Sequence, residues 1–325
     1  MLPLKILATG KALPSRQVTA SDIDREQGFP DGFAYQKGGV RLRHFAGVDE
    51  PQSKLAARAL HDAVERAGIE LGSLDLLISA CGVQEQALPS TACAIAAAAG
   101  LPAGVAAFDV NASCLSFLAA LRVASGLLAG GYKRIAVVSA DLASRGVDWS
   151  EPEASLIFGD GAAAVILERG EGTTGIESFV LQSYPEGRGY CEIRGGGTLR
   201  NPRTGVEPGD FLFRMDGKGV YRMACQVLPT ALAGLMTEAG VTLADIDCVV
   251  PHQASHLGMA HITKKLGIPA ERIVNIYETH GNQVAASMPT ALHEGFLSGL
   301  AGPGKRVLML GTAAGLTIGG AVLKL

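Results

Sequence analysis

Short apolar runs alternate along the chain with longer segments whose apolar residues recur at helical spacing. In each half, an amphipathic helical segment precedes a short apolar run, at Leu76–Ala80 and at Cys248–Val250, and further helices and strands alternate after it. Strands that alternate with helices are typical of mostly parallel sheets covered by helices. The pattern therefore predicts an α/β fold with mostly parallel sheets.

The second half of the chain repeats the first. Two pairs of similar segments lie at the same offset of 172 residues: 67–76 with 239–248, and 133–138 with 305–310. The repeat predicts two duplicated α/β halves, at 1–170 and 171–325. Between them, 184–213 is rich in glycine, proline and arginine, and we expect a long surface loop there that could cover a site.

Composition and charge exclude several classes of protein. The chain has 325 residues, of which 48% are hydrophobic, and its net charge is −3. This composition excludes wholesale disorder and gives no overall attraction to nucleic acid or acidic membranes. Gln86 to Phe108 is uncharged, but its proline and glycine residues and its many alanines favour a buried helix, a turn and a strand over a membrane span. Small residues at 91–100 and 284–291 predict a central helix layer.

The cysteines give the redox context. The six cysteines lie far apart and form no CxxC pair, so neither a zinc site nor a disulfide framework is indicated. The first residues lack the basic region and extended apolar core of a signal peptide. We therefore expect free thiols, a cytoplasmic protein and no metal.

Three residues could form one reactive centre. Cys114 follows the strand predicted at 105–110 and stands where the next helix begins, where the helix dipole and free N–H groups would lower the thiol pKa. His252 follows the second apolar run, and Asn282 precedes the helix equivalent to the one after Cys114. A buried thiol, a hydrogen-bonded histidine and a capping asparagine would explain each residue alone. Together they predict a thiolate that faces two hydrogen-bond donors.

Seven motifs add to this pattern: GGVRLRH (38–44), LPSTACAIAAAAGL (88–101), DVNASC (109–114), IFGDGAAAVIL (157–167), VPHQAS (250–255), KKLGI (264–268) and HGNQVAASMPTAL (280–292). With these motifs the chain resembles the β-ketoacyl-ACP synthase III family of the thiolase superfamily over essentially its whole length. The resemblance implies a thiolase-like fold, with duplicated halves in a layered α-β-α-β-α arrangement, and a homodimer.

The resemblance also implies a mechanism. Cys114 would take an acyl group from a thioester, with the oxyanion between its own backbone N–H and that of Ala314. A malonyl thioester would then lose CO2, and His252 and Asn282 would stabilise the enolate that attacks the acyl group. The product would be a 3-oxoacyl thioester, formed with ping-pong kinetics. The implied reactants are acyl-CoA or acyl carrier protein and a malonyl thioester, without any cofactor.

Several positions depart from the family pattern. Four of them align with substrate- or CoA-binding positions, where the family usually has Trp, Arg, Phe and Asn: Phe33, Lys37, Leu88 and Ser255. Pro152 and Leu257 replace basic residues, and the usual three-glycine turn contains Thr312-Ala-Ala-Gly. These departures favour a non-acetyl or specialised acyl donor over the acetyl-CoA-specific initiator.

Two other functions stay open. A relative with the same fold could condense two acyl chains without malonyl decarboxylation, or transfer the acyl group to a hydroxyl or amine. Asn282 argues against pure acyl transfer, because the asparagine serves the enolate. A catalytically inactive partner subunit, like the chain-length factors of polyketide systems, is the third possibility. The combination of Cys114 with both donors argues against it.

Overall fold

A computed structural model describes residues 1–265 and 267–325, so Leu266 of the KKLGI motif lies outside the described residues. The strands are β1 (Leu2–Pro3), β2 (Lys5–Ala12), β3 (Arg16–Thr19), β4 (Leu42–Phe45), β5 (Leu76–Ser79), β6 (Ala106–Asp109), β7 (Arg134–Asp141), β8 (Gly161–Glu168), β9 (Gly175–Ser183), β10 (Cys191–Glu192), β11 (Arg214–Met215), β12 (Cys248–Pro251), β13 (Arg306–Ala313) and β14 (Thr317–Lys324). The helices are α1 (Ala20–Gln27), α2 (Phe33–Gly38), α3 (Gln52–Ala67), α4 (Thr91–Ala99), α5 (Ser116–Ala129), α6 (Pro152–Ser155), α7 (Gly217–Ala239), α8 (His256–Lys265), α9 (Tyr277–His280) and α10 (Ser287–Leu297).

Two five-stranded sheets form the frame of the molecule. The strand order is β2-β8-β7-β5-β6 in the first sheet and β1-β9-β14-β13-β12 in the second. Within them, β6, β5 and β7 are parallel, as are β12 and β13, while β8 and β14 run antiparallel to their neighbours. The prediction of mostly parallel sheets is therefore wrong, and both sheets are mixed. A short turn joins β13 to β14, which leaves no room for the crossover that a parallel pair requires.

The faces of the first sheet separate two helix layers. Leu77 and Val138 pack on one face with residues of α3 and α4. Ile78 and Val137, one position along each strand, pack on the other face with α5 and α10. Because side chains alternate along a strand, each strand contributes to two cores.

The second sheet encloses the same central layer from the other side. Met309 packs toward α5 and α10, whereas Leu308 and Leu310 pack with residues of α7. The order of layers is therefore α3/α4, first sheet, α5/α10, second sheet and α7, which confirms the predicted α-β-α-β-α arrangement. The alanine-rich helix α4 lies in the outer layer, so its predicted central place is wrong. Its neighbour is α3 rather than the second sheet.

The duplication is visible in hydrogen bonds as well as in strand positions. Asp75 precedes β5 and accepts the backbone N–H of Arg134 at 2.9 Å. Asp247 precedes β12 and accepts the backbone N–H of Arg306 at 2.8 Å. Each arginine begins the next strand of its sheet and pairs with a glutamate. The division at residue 170 stays a prediction. Strand β1, from the first half of the chain, pairs with β9 and so belongs to the second sheet.

The segment 184–213 is mostly irregular, as its composition predicts. It contains β10, which pairs with β11 just beyond the segment. Tyr184 donates its backbone N–H to the carbonyl of Leu316 at 2.7 Å. The segment therefore begins over the turn between β13 and β14. No helix in the described part of the chain combines the length and apolar character that a membrane span needs.

Candidate active site

Cys114 lies in a tight turn between β6 and α5. The side-chain oxygen of Asn111 accepts the N–H of Ser113 at 2.9 Å, and the hydroxyl of Ser116 accepts the N–H of Ala112 at 2.9 Å. Ser113 has a φ of 53°, a strained conformation for a residue with a side chain. Helix α5 begins at Ser116, so Cys114 precedes the helix by two residues rather than starting it.

The thiol of Cys114 lies beside backbone N–H groups but has a raised pKa. The N–H groups of Ala314 and of Cys114 itself lie close enough to the sulfur to favour the thiolate. Burial raises the pKa of Cys114 to about 12, and the neighbouring Cys191 and Asp141 raise it further, whereas the two N–H groups lower it. The predicted lowering of the thiol pKa is therefore wrong, because the loss of hydration outweighs the N–H groups.

Asn282 lies in a turn that has the geometry of the Cys114 turn. Its side-chain oxygen accepts the N–H of Val284 at 2.9 Å, and Val284 also has a φ of 53°. The hydroxyl of Ser287 accepts the N–H of Gln283 at 2.9 Å. The Nδ2 of Asn282 donates to the carbonyl of Ala254 at 3.3 Å, and Ala254 lies two residues beyond His252.

His252 follows β12 directly and is buried. Its backbone N–H donates to the carbonyl of Leu310 at 2.9 Å. Its Cβ lies against Gly311, where an added Cβ would approach it to 2.6 Å and the side chain of Leu115 to 3.2 Å. Leu115, the residue after Cys114, and the Cβ of His252 therefore meet at one glycine of β13.

Burial lowers the pKa of His252 to about 4, so the imidazole is neutral at neutral pH. Its Nδ1 is buried and has no hydrogen-bond partner among the described residues. Because a buried N–H without an acceptor is costlier than a lone pair without a donor, we assign the proton to Nε2. The imidazole then has one N–H to donate.

The backbone of Asn282 forms two hydrogen bonds with the loop before β8. Asn282 donates its N–H to the carbonyl of Ile157 at 2.8 Å and accepts the N–H of Gly159 at 3.1 Å. Arg43, fully buried, donates to the carbonyl of Phe158 at 2.9 Å, and burial lowers its pKa to about 10. Sequence reasoning missed this support, although a charged residue inside the short strand β4 was a signal for it.

Two further residues near the thiol were also missed. Cys191, on β10, is partly buried, and burial raises its pKa to about 12. No periodic pattern surrounds it in the sequence. Asp141 ends β7, and burial raises its pKa to about 8. Its position at the carboxyl end of a parallel strand was a usable signal, because ligand sites of α/β folds form there.

The predicted substrate-binding residues have mixed surroundings. Phe33 packs on Phe29 with ring centroids 4.9 Å apart, and Lys37 is exposed near the end of α2. Leu88 is 85% exposed, so it lines no enclosed pocket of this chain. None of the hydrogen bonds or ring contacts found for these residues in the described structure reaches Cys114, and their binding roles stay predictions.

Ser255 has a structural partner. Its hydroxyl accepts the N–H of Gly258 at 3.1 Å. Ser255 directly precedes α8, and Gly258 lies in the first turn of that helix. Such a hydrogen bond satisfies a free N–H at a helix start. The side chain of Lys265, farther along α8, lies outside the described residues. Over residues 1–265 and 267–325, no group of three or more potential ligands is arranged to hold a metal.

Models of protein families match most of the chain. The description "3-Oxoacyl-[acyl-carrier-protein (ACP)] synthase III" matches residues 108–185, and its C-terminal counterpart matches residues 236–325. The description "Thiolase, N-terminal domain" matches residues 44–140. The layered fold and these matches define a thiolase-fold condensing enzyme.

Relatives with full-length similarity narrow the class. The chain is 34% identical to the β-ketoacyl-[acyl-carrier-protein] synthase III of Neisseria meningitidis serogroup B and 36% identical to that of Rhizorhabdus wittichii, each over 98% of both chains. The crystal structure of 3-oxoacyl-[acyl-carrier-protein] synthase III from Aquifex aeolicus is 30% identical, with a TM-score of 0.88 over 99% of this chain and 100% of that one. The chain belongs to the β-ketoacyl-[acyl-carrier-protein] synthase III family.

Proposed function

We propose that the chain condenses an acyl thioester, held on Cys114, with a malonyl thioester to give a 3-oxoacyl thioester and CO2. The observation that supports this best is the arrangement of the two equivalent turns. One carries the thiol beside the N–H of Ala314, and the other carries Asn282, tied to the loop of His252. A nucleophile and a pair of neutral donors suit the two half-reactions of such a condensation.

In the first half-reaction the sulfur of Cys114 attacks the acyl carbonyl. The N–H groups of Cys114 and Ala314 stabilise the oxyanion, the C–S bond of the donor breaks, and the leaving sulfur takes up the proton that Cys114 loses. Because the pKa of Cys114 is raised to about 12, the resting thiol is protonated. It therefore loses its proton as it attacks, and the reaction exchanges one thiol for another.

In the second half-reaction a malonyl thioester replaces the first product. The Nε2–H of His252 and the amide N–H of Asn282 donate to its thioester oxygen while the bond to the carboxylate breaks and CO2 leaves. The carbon of the resulting enolate attacks the acyl carbonyl, and the thiolate of Cys114 departs and takes up a proton. One amide hydrogen of Asn282 already binds Ala254, which leaves the second for the substrate.

We propose acyl-CoA or acyl carrier protein as the carriers, no cofactor, and a non-acetyl acyl donor, on the strength of Phe33, Lys37, Leu88 and Ser255. Of the alternatives, transfer to a hydroxyl or amine has less support, because Asn282 would serve an enolate. Condensation of two acyl chains also needs an enolate and stays open. Free thiols at all six cysteines agree with the proposed cytoplasmic location.

We also propose a homodimer, supported by the open edge of the first sheet. Strand β6 is the last strand of that sheet, and Phe108 on it is 37% exposed. An unpaired edge strand with an exposed aromatic side chain is suited to pair with a second chain. F108D should give monomers in light scattering after size exclusion, whereas L297D, at another exposed apolar residue, should not. A wild-type monomer would contradict the proposal.

The acylation test separates the proposed functions. Wild-type protein and C114A are incubated with a panel of acyl-CoA and acyl-ACP donors, and covalent labelling is read by intact mass. We expect labelling of the wild type alone, followed by CO2 release when malonyl thioester is added. Labelling of C114A would contradict the nucleophile. Labelling without malonyl-dependent CO2 would favour the alternative, and no labelling by any donor would favour an inactive subunit.

A further inference from the structure

Asp141 joins the two halves of the site through one carboxylate. It is 1% exposed and stands at the end of β7. Its oxygens accept the N–H of Gly82 at 2.9 Å, of Val83 at 3.0 Å and of Ala285 at 3.1 Å. Gly82 and Val83 belong to the first half of the chain, whereas Ala285 follows Asn282 in the second.

The loop at Gly82 also touches both turns. A Cβ added to Gly82 would lie 2.4 Å from Cγ1 of Val284 and 3.5 Å from the carbonyl oxygen of Ser113. Asn111 donates its Nδ2 to the carbonyl of Gly82 at 3.2 Å. The loop therefore lies between the turn of Cys114 and the turn of Asn282, and Asp141 fixes it by accepting the N–H groups of Gly82 and Val83.

A buried carboxylate at position 141 costs more free energy than an apolar side chain of similar size would. Burial of a charge costs free energy and raises the pKa of Asp141, whereas the N–H groups that the carboxylate accepts lower it. An apolar side chain would avoid that cost but could not accept three N–H groups from two parts of the chain. The bridging hydrogen bonds are thus what the carboxylate supplies at this position.

We propose that Asp141 is a positioning residue that keeps the turn of Cys114 and the turn of Asn282 at their working separation. The inference rests on the proposed condensation. Acylation needs only the turn of Cys114 and the N–H of Ala314, and malonyl decarboxylation needs only His252 and Asn282. Carbon–carbon bond formation needs both centres in register, so Asp141 acts mainly on that step.

The test measures three rates in wild type, D141N and the control D75N. These are acylation of Cys114 by intact mass, CO2 release from malonyl thioester without acyl donor, and 3-oxoacyl formation from preformed acyl-enzyme. In D141N an amide nitrogen replaces one carboxylate oxygen and cannot accept an N–H group. At least one hydrogen bond to Gly82, Val83 or Ala285 is therefore lost. We expect 3-oxoacyl formation to fall about tenfold or more, because a small misplacement is costly, and the other two rates to change less than about threefold.

Asp75 is a matched control, because its carboxylate also accepts backbone N–H groups but lies at the opposite end of the strands. D75N should leave the ratio of the three rates unchanged. If all three rates of D141N match the wild type, or fall together in proportion to its folded fraction, the positioning role is wrong. A wild type that forms no 3-oxoacyl product would instead overturn the proposed function.

A second variant keeps the inference testable if D141N does not fold. G82A retains the carboxylate but places a methyl group against Val284, at the junction that Asp141 holds. We expect the same selective loss of 3-oxoacyl formation. A folded G82A with wild-type rates in all three assays would contradict the role of this junction.

Discussion

Asn111 and Asn282 occupy equivalent positions in two turns of the same geometry. The side-chain oxygen of each accepts the N–H two residues later at 2.9 Å. The side-chain nitrogen of Asn111 donates to the carbonyl of Gly82 at 3.2 Å, in the loop after β5, and that of Asn282 donates to the carbonyl of Ala254 at 3.3 Å, in the loop after β12. One local structure thus presents a thiol in the first half and a donor amide in the second.

The first prediction separates these two functions. N282A should keep acylation of Cys114, because neither that thiol nor the N–H groups of Cys114 and Ala314 belong to the turn of Asn282. Malonyl-dependent CO2 release should fall by about 10²–10³, the usual cost of one lost donor to an oxyanion. The measurements are intact mass for acylation and labelled CO2 for decarboxylation.

N111A provides the comparison, because it removes the equivalent amide from the turn of Cys114. We expect its larger defect in acylation rather than in CO2 release. An equal loss of both steps in N282A would show that Asn282 supports the fold of the site and not the enolate.

The second prediction concerns the packing of His252 on Gly311. In G311A the added methyl group would lie 2.6 Å from Cβ of His252, so the imidazole must move. We expect CO2 release to fall about tenfold or more, because small displacements of a donor are costly. Acylation should change less, since Cys114 and Ala314 are not displaced directly.

A glycine of β14, the strand after β13, provides the control for G311A. In G320A the added methyl group would lie 2.6 Å from Leu235, in the core between β14 and α7. Both variants should lose stability in urea unfolding, but G320A should retain the wild-type ratio of CO2 release to acylation. A similar ratio in G311A would contradict the proposed role of His252.

The third prediction follows from the pKa of His252. The folded value is about 4 and the ordinary value is 6.5, so below pH 6.5 the unfolded chain binds a proton that folded His252 does not. Stability is therefore retained above that pH and lost as the pH falls toward 4. The contribution of this residue amounts to about 3 kcal/mol over the whole interval.

Urea unfolding of wild type and H252N at about pH 7.5 and about pH 4.5 measures this contribution. H252N should lose less stability on acidification than the wild type by about 2–3 kcal/mol. His280, whose pKa burial also lowers to about 4, should keep part of the acid sensitivity in both proteins. An identical loss in the two proteins would show that His252 does not titrate this way.

Much of the fold was predictable because it follows from local patterns. The strands at 76 and 248 begin at the predicted residues, and the layers follow from the duplication. The direction of β8 and β14 was not predictable from apolar runs, since a run of buried residues is the same in either direction. The alanines of α4 were misplaced because small residues suit any close helix contact.

Cys114 and His252 follow the strands β6 and β12, and Asn282 precedes α10, as predicted, but the supports of these residues are not evident from the sequence. Asp141 and Arg43 act through backbone groups of distant segments, and sequence spacing contains no information on such contacts. The pKa of Cys114 was misjudged for a related reason. A helix start is visible in the sequence, whereas the burial that opposes it is a property of the assembled layers.

The last prediction separates two roles of Ser255. Its hydroxyl accepts the N–H of Gly258, so S255A should lose about 1 kcal/mol in urea unfolding, whereas S255N should not, because asparagine is an equally good cap. If Ser255 also positions the malonyl thioester, S255A should raise KM for that substrate, and S255N, which restores the residue usual in the family, should keep KM or lower it. A stability loss in S255A with unchanged KM in both variants would leave the cap as the function of Ser255 and contradict its predicted role in substrate binding.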